Sequence, residues 1–334
     1  MIVAEMSANH NGKKETAIET VRAAKRAGAD AVKLQTYRAD TITLRCDKPD
    51  FIINEGSIWD GQYFYDLYEQ AYTPWEWHEE LFHVAKEEGL ICFSSPFDKT
   101  AVDMLEALDC PVYKIASFEI TDIPLIEYAA SKHKPMVLAT GIATEEDIQL
   151  AVEACRRMGN NDITVLKCTS SYPAPVEEAN LCMIRDLAER FQVKSGLSDH
   201  TLGSVSPIVA VTQGASMIEK HFILNRSIGG PDCSFSMEEK DFAQMVKDVR
   251  MAELSLGKTT YELTEKMRGS RSASRSLCGR GYEGRRSDYG AERSLRPSGL
   301  RPAPQISERY IGKEREPGFG ERDEVCIGVR EWLA

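Results

Sequence analysis

The stretch MIVAEMSANHNGKKETAIETVRAAKRAGADAVKLQ (1–35) decides how the chain is read. An apolar run at 2–6 and a second at 31–35 flank residues 14–27. In that middle segment Ala17, Val21 and Ala24 recur at helical spacing among Lys, Glu and Arg. Short continuous apolar runs around a segment of 3.6-residue period predict a strand–helix–strand unit with parallel strands covered on both faces.

The same alternation continues along the chain. Strands are expected at 2–6, 31–35, 91–94, 112–116, 136–139, 164–168, 195–197 and 217–220. Helices are expected at 14–27, 75–88, 99–108, 123–131, 145–158, 179–191, 205–213 and 238–256. Eight such units in roughly 250 residues suit a closed (β/α)8, or TIM, barrel. The alternative is an open doubly wound sheet. Its dinucleotide-binding version loses support because no GxGxxG turn follows the first strand. Residues 38–74 interrupt the second unit and are too long for an ordinary loop. They hold Trp59, Tyr63, Phe64, Tyr65 and Tyr68, which either pack the segment on the barrel rim or stack on a ligand.

Composition narrows the class. The 334 residues carry a net charge of −11, which argues against a nucleic-acid or anionic-membrane partner. No apolar run is long enough to span a bilayer and the first residues lack signal-peptide character, so a cytoplasmic location is expected. Nine cysteines lack CxxC spacing. Cys92, Cys110, Cys155 and Cys168 read as reduced, small core residues.

In a barrel of this kind function gathers at the C-terminal strand ends. Almost every expected strand ends in chemically capable residues, among them Glu5, Ser7, Asn9 and Asn11 on the first and Asp98 after the third. Lys33, Lys114 and Lys167 stand on alternate strands. A buried lysine is costly unless paired, so three of them point to an anion site, with Ser95, Ser117 and Thr140 as hydroxyl donors. His200 and His221 follow the last two strands, near Asp199, Glu219 and Asp232. They read either as satisfied structural histidines or as ligands of a divalent metal. His78, His83 and His133 lie on or after helices and read as solvated.

The ordered set AEMSANHNG (4–12), KLQTYRADTITL (33–44), TPWEWHEELF (73–82), FSSPFD (93–98), YKIASFEI (113–120), ATGIAT (139–144), LKCTSSYPAP (166–175), GLSDHT (196–201), EKHF (219–222) and GGPDCSFS (229–236) resembles the sialic acid synthase family, its pseudaminic branch above all. The resemblance runs continuously over about 1–257. It implies a transferase that condenses phosphoenolpyruvate with an open-chain amino sugar, here 2,4-diacetamido-2,4,6-trideoxy-L-altrose, to give pseudaminic acid and phosphate. N-acetylneuraminate or legionaminate synthesis is the alternative reading, and a catalytically impaired ligand-binding barrel is a third.

The resemblance also implies residue roles. Phosphoenolpyruvate falls to Lys33, Ser95, Lys114, Ser117, Thr140, Ser170, Tyr172 and Ser198. The sugar falls to Asn9, Asn11, Gln35, Asp232 and Arg296. Glu119 and Asp232 join Lys33, Lys114, His200 and His221 as catalytic groups. His200 and His221 hold a divalent metal, manganese, with magnesium or cobalt as alternates. Family members end in an antifreeze-like domain that closes the partner's barrel in a homodimer. In this chain 258–273 reads as the linker, and 274–334, rich in Arg, Gly and Ser, departs from that domain as though the reading frame had shifted. SRSL (274–277) and RSLRP (293–297) are similar to its entry and its Arg-Pro turn. Arg296 is thus either the sugar-binding arginine or a solvated residue in a loose tail.

Overall fold

A computed structural model of the chain describes residues 1–54 and 56–270. Met1–Lys258 form one compact unit. Its strands are β1 (Ile2–Glu5), β2 (Ala31–Thr36), β3 (Ile91–Pro96), β4 (Tyr113–Ile115), β5 (Met136–Ala139), β6 (Ile163–Cys168), β7 (Lys194–Asp199) and β8 (Met217–Ile223). They pair in parallel in sequence order. The ring closes through β1 on β8, with Val3 opposite Glu219 and Glu5 opposite His221.

Between them run α1 (Lys14–Arg26), α2 (Ala39–Ile42), α3 (Phe64–Ala71), α4 (His78–Glu87), α5 (Lys99–Ala107), α6 (Ile123–Ala130), α7 (Glu145–Arg157), α8 (Met183–Phe191) and α9 (Val205–Thr212). A two-residue strand β9 (Met237–Glu238) and α10 (Glu239–Leu256) complete the unit. The (β/α)8 barrel is therefore the architecture. The sequence reading missed α2 and α3 inside 38–74, which are too short to show a period, and β9, which pairs with β8 through Phe222 and Met237.

Local chemistry explains the helix starts. Thr144 and Asp147 form a capping box on α7, whose first turn is acidic and whose last turn holds Arg156 and Arg157, matching the helix dipole. Asp98, expected at a functional strand end, instead caps α5 by accepting from the Thr100 and Ala101 N–H groups.

The apolar core lies between strands and helices in two clusters, one around Phe93, Ile115 and Leu138 and one around Leu34, Phe222 and Phe242. Side chains alternate across a strand, so every second residue enters the barrel. Near the strands' C-terminal ends those inward positions are Glu5 and Ser7, Lys33 and Gln35, Lys114 and Ala116, Cys168, Ser198 and His200, and Glu219 and His221. All of them line one cavity of about 530 Å³.

Candidate active site

The floor of this cavity is an ionic lattice. Lys33, fully buried, pairs with Glu5, lies 3.6 Å from Glu219 Oε1 and donates to Ser95 Oγ at 3.2 Å. Lys114 Nζ donates to the same Glu219 oxygen at 3.2 Å, as does Ser198 Oγ at 3.3 Å. Gln35 Nε2 donates to Glu5 Oε1 at 3.2 Å. The two ammoniums thus share Glu219, whose Oε2 has no hydrogen-bond partner among the described residues.

Burial raises the carboxyl pKa of Glu5 despite the pull of Lys33. At Glu219 burial pushes the same way, but Lys114 and Lys33 outweigh it and the net direction is down. Burial disfavours the Lys114 ammonium, yet Glu219 and Glu5 outweigh that and hold its pKa up. Two carboxylates thus hold the Lys114 ammonium charged inside the barrel.

Beside the lysines lies a hydroxyl shelf. The Gly141 N–H donates to Ser117 Oγ at 3.1 Å, and Ser170 Oγ sits so near Gly141 that a Cβ there would lie 1.9 Å from it. Glu119 ends a 3-10 turn (Ser117–Glu119) at the cavity wall. Burial raises its carboxyl to about 7, and Glu119 Oε2 has no hydrogen-bond partner among the described residues.

Across the cavity stand the imidazoles, with ring centroids 5.3 Å apart. His200 Nδ1 donates to Thr169 O at 2.9 Å, which leaves the lone pair on Nε2 when the ring is neutral. His221 Nδ1 is buried without a hydrogen-bond partner among the described residues and lies 3.9 Å from Asp232 Oδ2, which accepts from Ser7 Oγ at 2.5 Å. Burial and the neighbouring His200 hold His221 well below the usual imidazole range. Burial raises Asp232, with Ser7 opposing. At His200 burial lowers the pKa, but the Cys168 sulfur, 3.8 Å from Nδ1, turns the net shift upward. Cys168 in turn is drawn down to about 6 by His200, against its own burial. A neutral imidazole with an orphaned ring nitrogen beside a carboxylate fits one divalent cation with two protein nitrogens.

The mouth is walled by the 38–74 segment. Trp59 packs at a tilt against Tyr172 with centroids 5.5 Å apart, contacts Phe235 edge-on at 6.4 Å, and donates its indole N–H to Pro231 O at 3.1 Å. Tyr172, whose own ring lies 4.4 Å from that of His200, joins this rim to the imidazoles. Ile42, Ile53, Phe64, Leu67 and Tyr68 extend the apolar wall. Of the segment's aromatics, Trp59, Phe64 and Tyr68 line the cavity while Tyr63 and Tyr65 do not, a division that depends on how the segment folds over the opening.

The structure brings Lys33, Lys114, Ser117, Glu119, Ser170, Tyr172, Ser198, His200, His221, Gln35 and Asp232 into this cavity, with Ser95 just behind Lys33. Other expected residues are used elsewhere. Thr140 Oγ1 donates to Leu166 O, Asn9 braces Phe222 O and Ser236, and Asn11 reaches Ile228 O. Arg296 lies outside the described residues.

Three readings need correction. Lys167 does not join the anion site. It donates to Cys168 O at 2.7 Å and Thr169 Oγ1 at 3.2 Å, because on β6 Cys168 takes the inward position. Asp199 is not beside the imidazoles but bonds Lys220. His78 is not solvated. It is wholly buried, 2.8 Å from Thr36 Oγ1, which also meets Ser94 Oγ at 2.7 Å.

The chain that builds this parallel barrel, with an ionic lattice facing an imidazole pair, has small-molecule synthases among its relatives. The family model described as "NeuB family" matches residues 20–261. The chain is 52% identical over 265 residues to a pseudaminic acid synthase of Helicobacter pylori, covering 79% of this chain and 78% of that protein. It is 45% identical over 316 residues to a pseudaminic acid synthase of Campylobacter jejuni, covering 94% and 91%. A crystal structure of N-acetylneuraminic acid synthetase from Leptospira borgpetersenii superposes with a TM-score of 0.72 at 28% identity, covering 83% of this chain and 92% of that one. The chain belongs to the NeuB family.

Proposed function

We propose that this chain is the enzyme that condenses phosphoenolpyruvate with 2,4-diacetamido-2,4,6-trideoxy-L-altrose and water, giving pseudaminic acid and phosphate. The single observation that carries the reading is that two buried lysines and two imidazoles face each other across one cavity. The choice of sugar is supported by the two relatives at 45% and 52% identity, both named for that product.

On this reading Lys33 and Lys114 bind the phosphate and carboxylate of phosphoenolpyruvate, helped by Ser95, Ser198 and the Ser117–Ser170 shelf. Gln35, Asp232 and the Trp59–Tyr172 wall receive the sugar. C3 of phosphoenolpyruvate bonds to the aldehyde carbon, water adds at C2, and the C2–O bond to phosphate breaks. The lysines offset negative charge at the phosphate throughout and stay in place when it leaves. Asp232, whose carboxyl pKa is raised by burial, is the group that gives a proton to the former aldehyde oxygen. Glu119 takes one from the water that adds at C2. His200 and His221 would hold a divalent cation, manganese above magnesium or cobalt, and when bound it would supply Lewis-acid polarisation of the aldehyde. A cytoplasmic homodimer belongs to the same reading and rests on the family resemblance.

The test is phosphate release by the purified protein with phosphoenolpyruvate and a panel of sugars. Release with the L-altro sugar alone supports the proposal. Preference for N-acetylmannosamine or for the legionaminate precursor refutes the sugar. His221→Ala is expected to abolish metal-dependent release, and unchanged activity would refute its role.

A further inference from the structure

One buried ion pair has no part in the chemistry above. Asp199 and Lys220 are direct cross-strand partners on β7 and β8, each one residue before an imidazole. By strand alternation they face the helix layer while His200 and His221 face the cavity. Lys220 Nζ donates to Asp199 Oδ2 at 2.5 Å and to Thr201 O at 2.6 Å. Asp199 Oδ1 accepts from Thr201 N at 2.9 Å and from Thr201 Oγ1 at 2.8 Å. Thr201 Oγ1 also meets Ser206 Oγ on α9 at 3.0 Å. The side chains of Lys220 and Asp199 are 3% and 1% exposed.

A buried pair of this kind is a poor source of stability. Desolvating both charges offsets their attraction, and replacing both with apolar residues is often neutral or stabilising. Its geometry points to another use. The residues on both sides of His200 are tied, Asp199 by its carboxylate and Thr201 by its N–H and its C=O. The His200 carbonyl itself accepts from Ala174 N at 2.9 Å. Across the pair, β8 is pinned to β7 one residue before His221, so the two imidazole-bearing backbones cannot slide or turn independently.

We propose that Asp199, Lys220 and Thr201 form a positioning clamp that sets the spacing of His200 and His221 for one shared divalent cation. The proposal rests on the reading of those imidazoles as metal ligands. Removal of residues that orient metal ligands commonly weakens binding by roughly 10- to 100-fold.

The experiment titrates Mn2+ into the metal-free, full-length protein, reading free Mn2+ by its electron paramagnetic resonance signal. Melting temperature and phosphoenolpyruvate affinity are measured alongside. The double variant Asp199→Leu/Lys220→Met leaves the buried Thr201 N–H and C=O without these partners, so it is expected to melt below the wild-type temperature while staying folded, to bind phosphoenolpyruvate as wild type does, and to bind Mn2+ roughly 10- to 100-fold more weakly. Native Mn2+ affinity in this folded variant, with binding lost in His221→Ala, overturns the clamp alone. No Mn2+ binding by the wild type overturns both the clamp and the metal reading. Should the double variant not fold, Thr201→Val decides, since it keeps the charges and removes the hydroxyl. Binding weakened about tenfold or more, from the low end of the range for such residues upward, supports the clamp, and native affinity overturns it.

Discussion

Replacing Gly141 with alanine is a test of the hydroxyl shelf that the structure makes quantitative. The added Cβ would sit 1.9 Å from Ser170 Oγ and 2.7 Å from Ser117 Oγ, where real contacts stay above 3.0 Å. The Ser170 hydroxyl must therefore retreat by about 1.1 Å and that of Ser117 by about 0.3 Å, from the distances above. Gly141 does not occupy the left-handed region, so alanine adds no backbone strain, and both obstructing atoms are side-chain ends that can rotate. The cost should fall on the site and not on the fold. A misplacement near 1 Å costs on the order of 10²-fold in rate, equivalent to about 2.7 kcal/mol of transition-state stabilisation. The assay is steady-state phosphate release with phosphoenolpyruvate varied at saturating sugar, beside a thermal melt. We expect kcat/KM for phosphoenolpyruvate to drop by about that factor while the melting temperature holds. A folded variant with wild-type kcat/KM would refute the shelf as part of the anion site.

Other outcomes follow from the same geometry. Lys114→Met removes one of the two cations on Glu219, so KM for phosphoenolpyruvate should rise by roughly 10²-fold or more, and the buried carboxylate, left with the Lys33 cation alone, should lower stability by up to about 3 kcal/mol in chemical denaturation. Glu119 is raised from 4.5 to about 7, so its contribution to stability is fully present below pH 4.5 and is lost as pH rises through about 7. Wild type should therefore lose up to about 3 kcal/mol relative to Glu119→Gln between pH 4.5 and pH 8, and equal pH slopes in the two proteins would refute the burial of that carboxyl. Trp59→Ala opens the rim, and KM for the sugar should rise about tenfold with that for phosphoenolpyruvate unchanged, from the loss of two aromatic contacts.

Much of this architecture was legible in the sequence because barrel physics writes itself locally. Eight apolar runs between helical periods announce parallel strands, and a lysine inside such a run announces a charge that must be paired. Lys33 and Lys114 were found that way. Lys167 shows the same local signal and a different outcome, since whether a strand residue points inward depends on pairing register with its neighbours, which sequence alone does not supply. Glu219's place between two lysines likewise needs β8 to close on β1, two elements more than 200 residues apart. His78 begins a helix whose exposed side is polar, and its burial comes from Thr36 and Ser94 on other strands. The cap at Asp98 was open to discovery, as an aspartate directly before a helical period is a start signal.

The carboxylates among the lysines have a consequence for turnover. An empty pocket of bare ammoniums would cling to inorganic phosphate long after the reaction finished. Here Glu5 and Glu219 already stand against Lys33 and Lys114. If those lysines hold the phosphate as proposed above, loading and unloading become an exchange of counterions in which the protein supplies the replacement, and the cavity returns to rest without waiting for ions from solution.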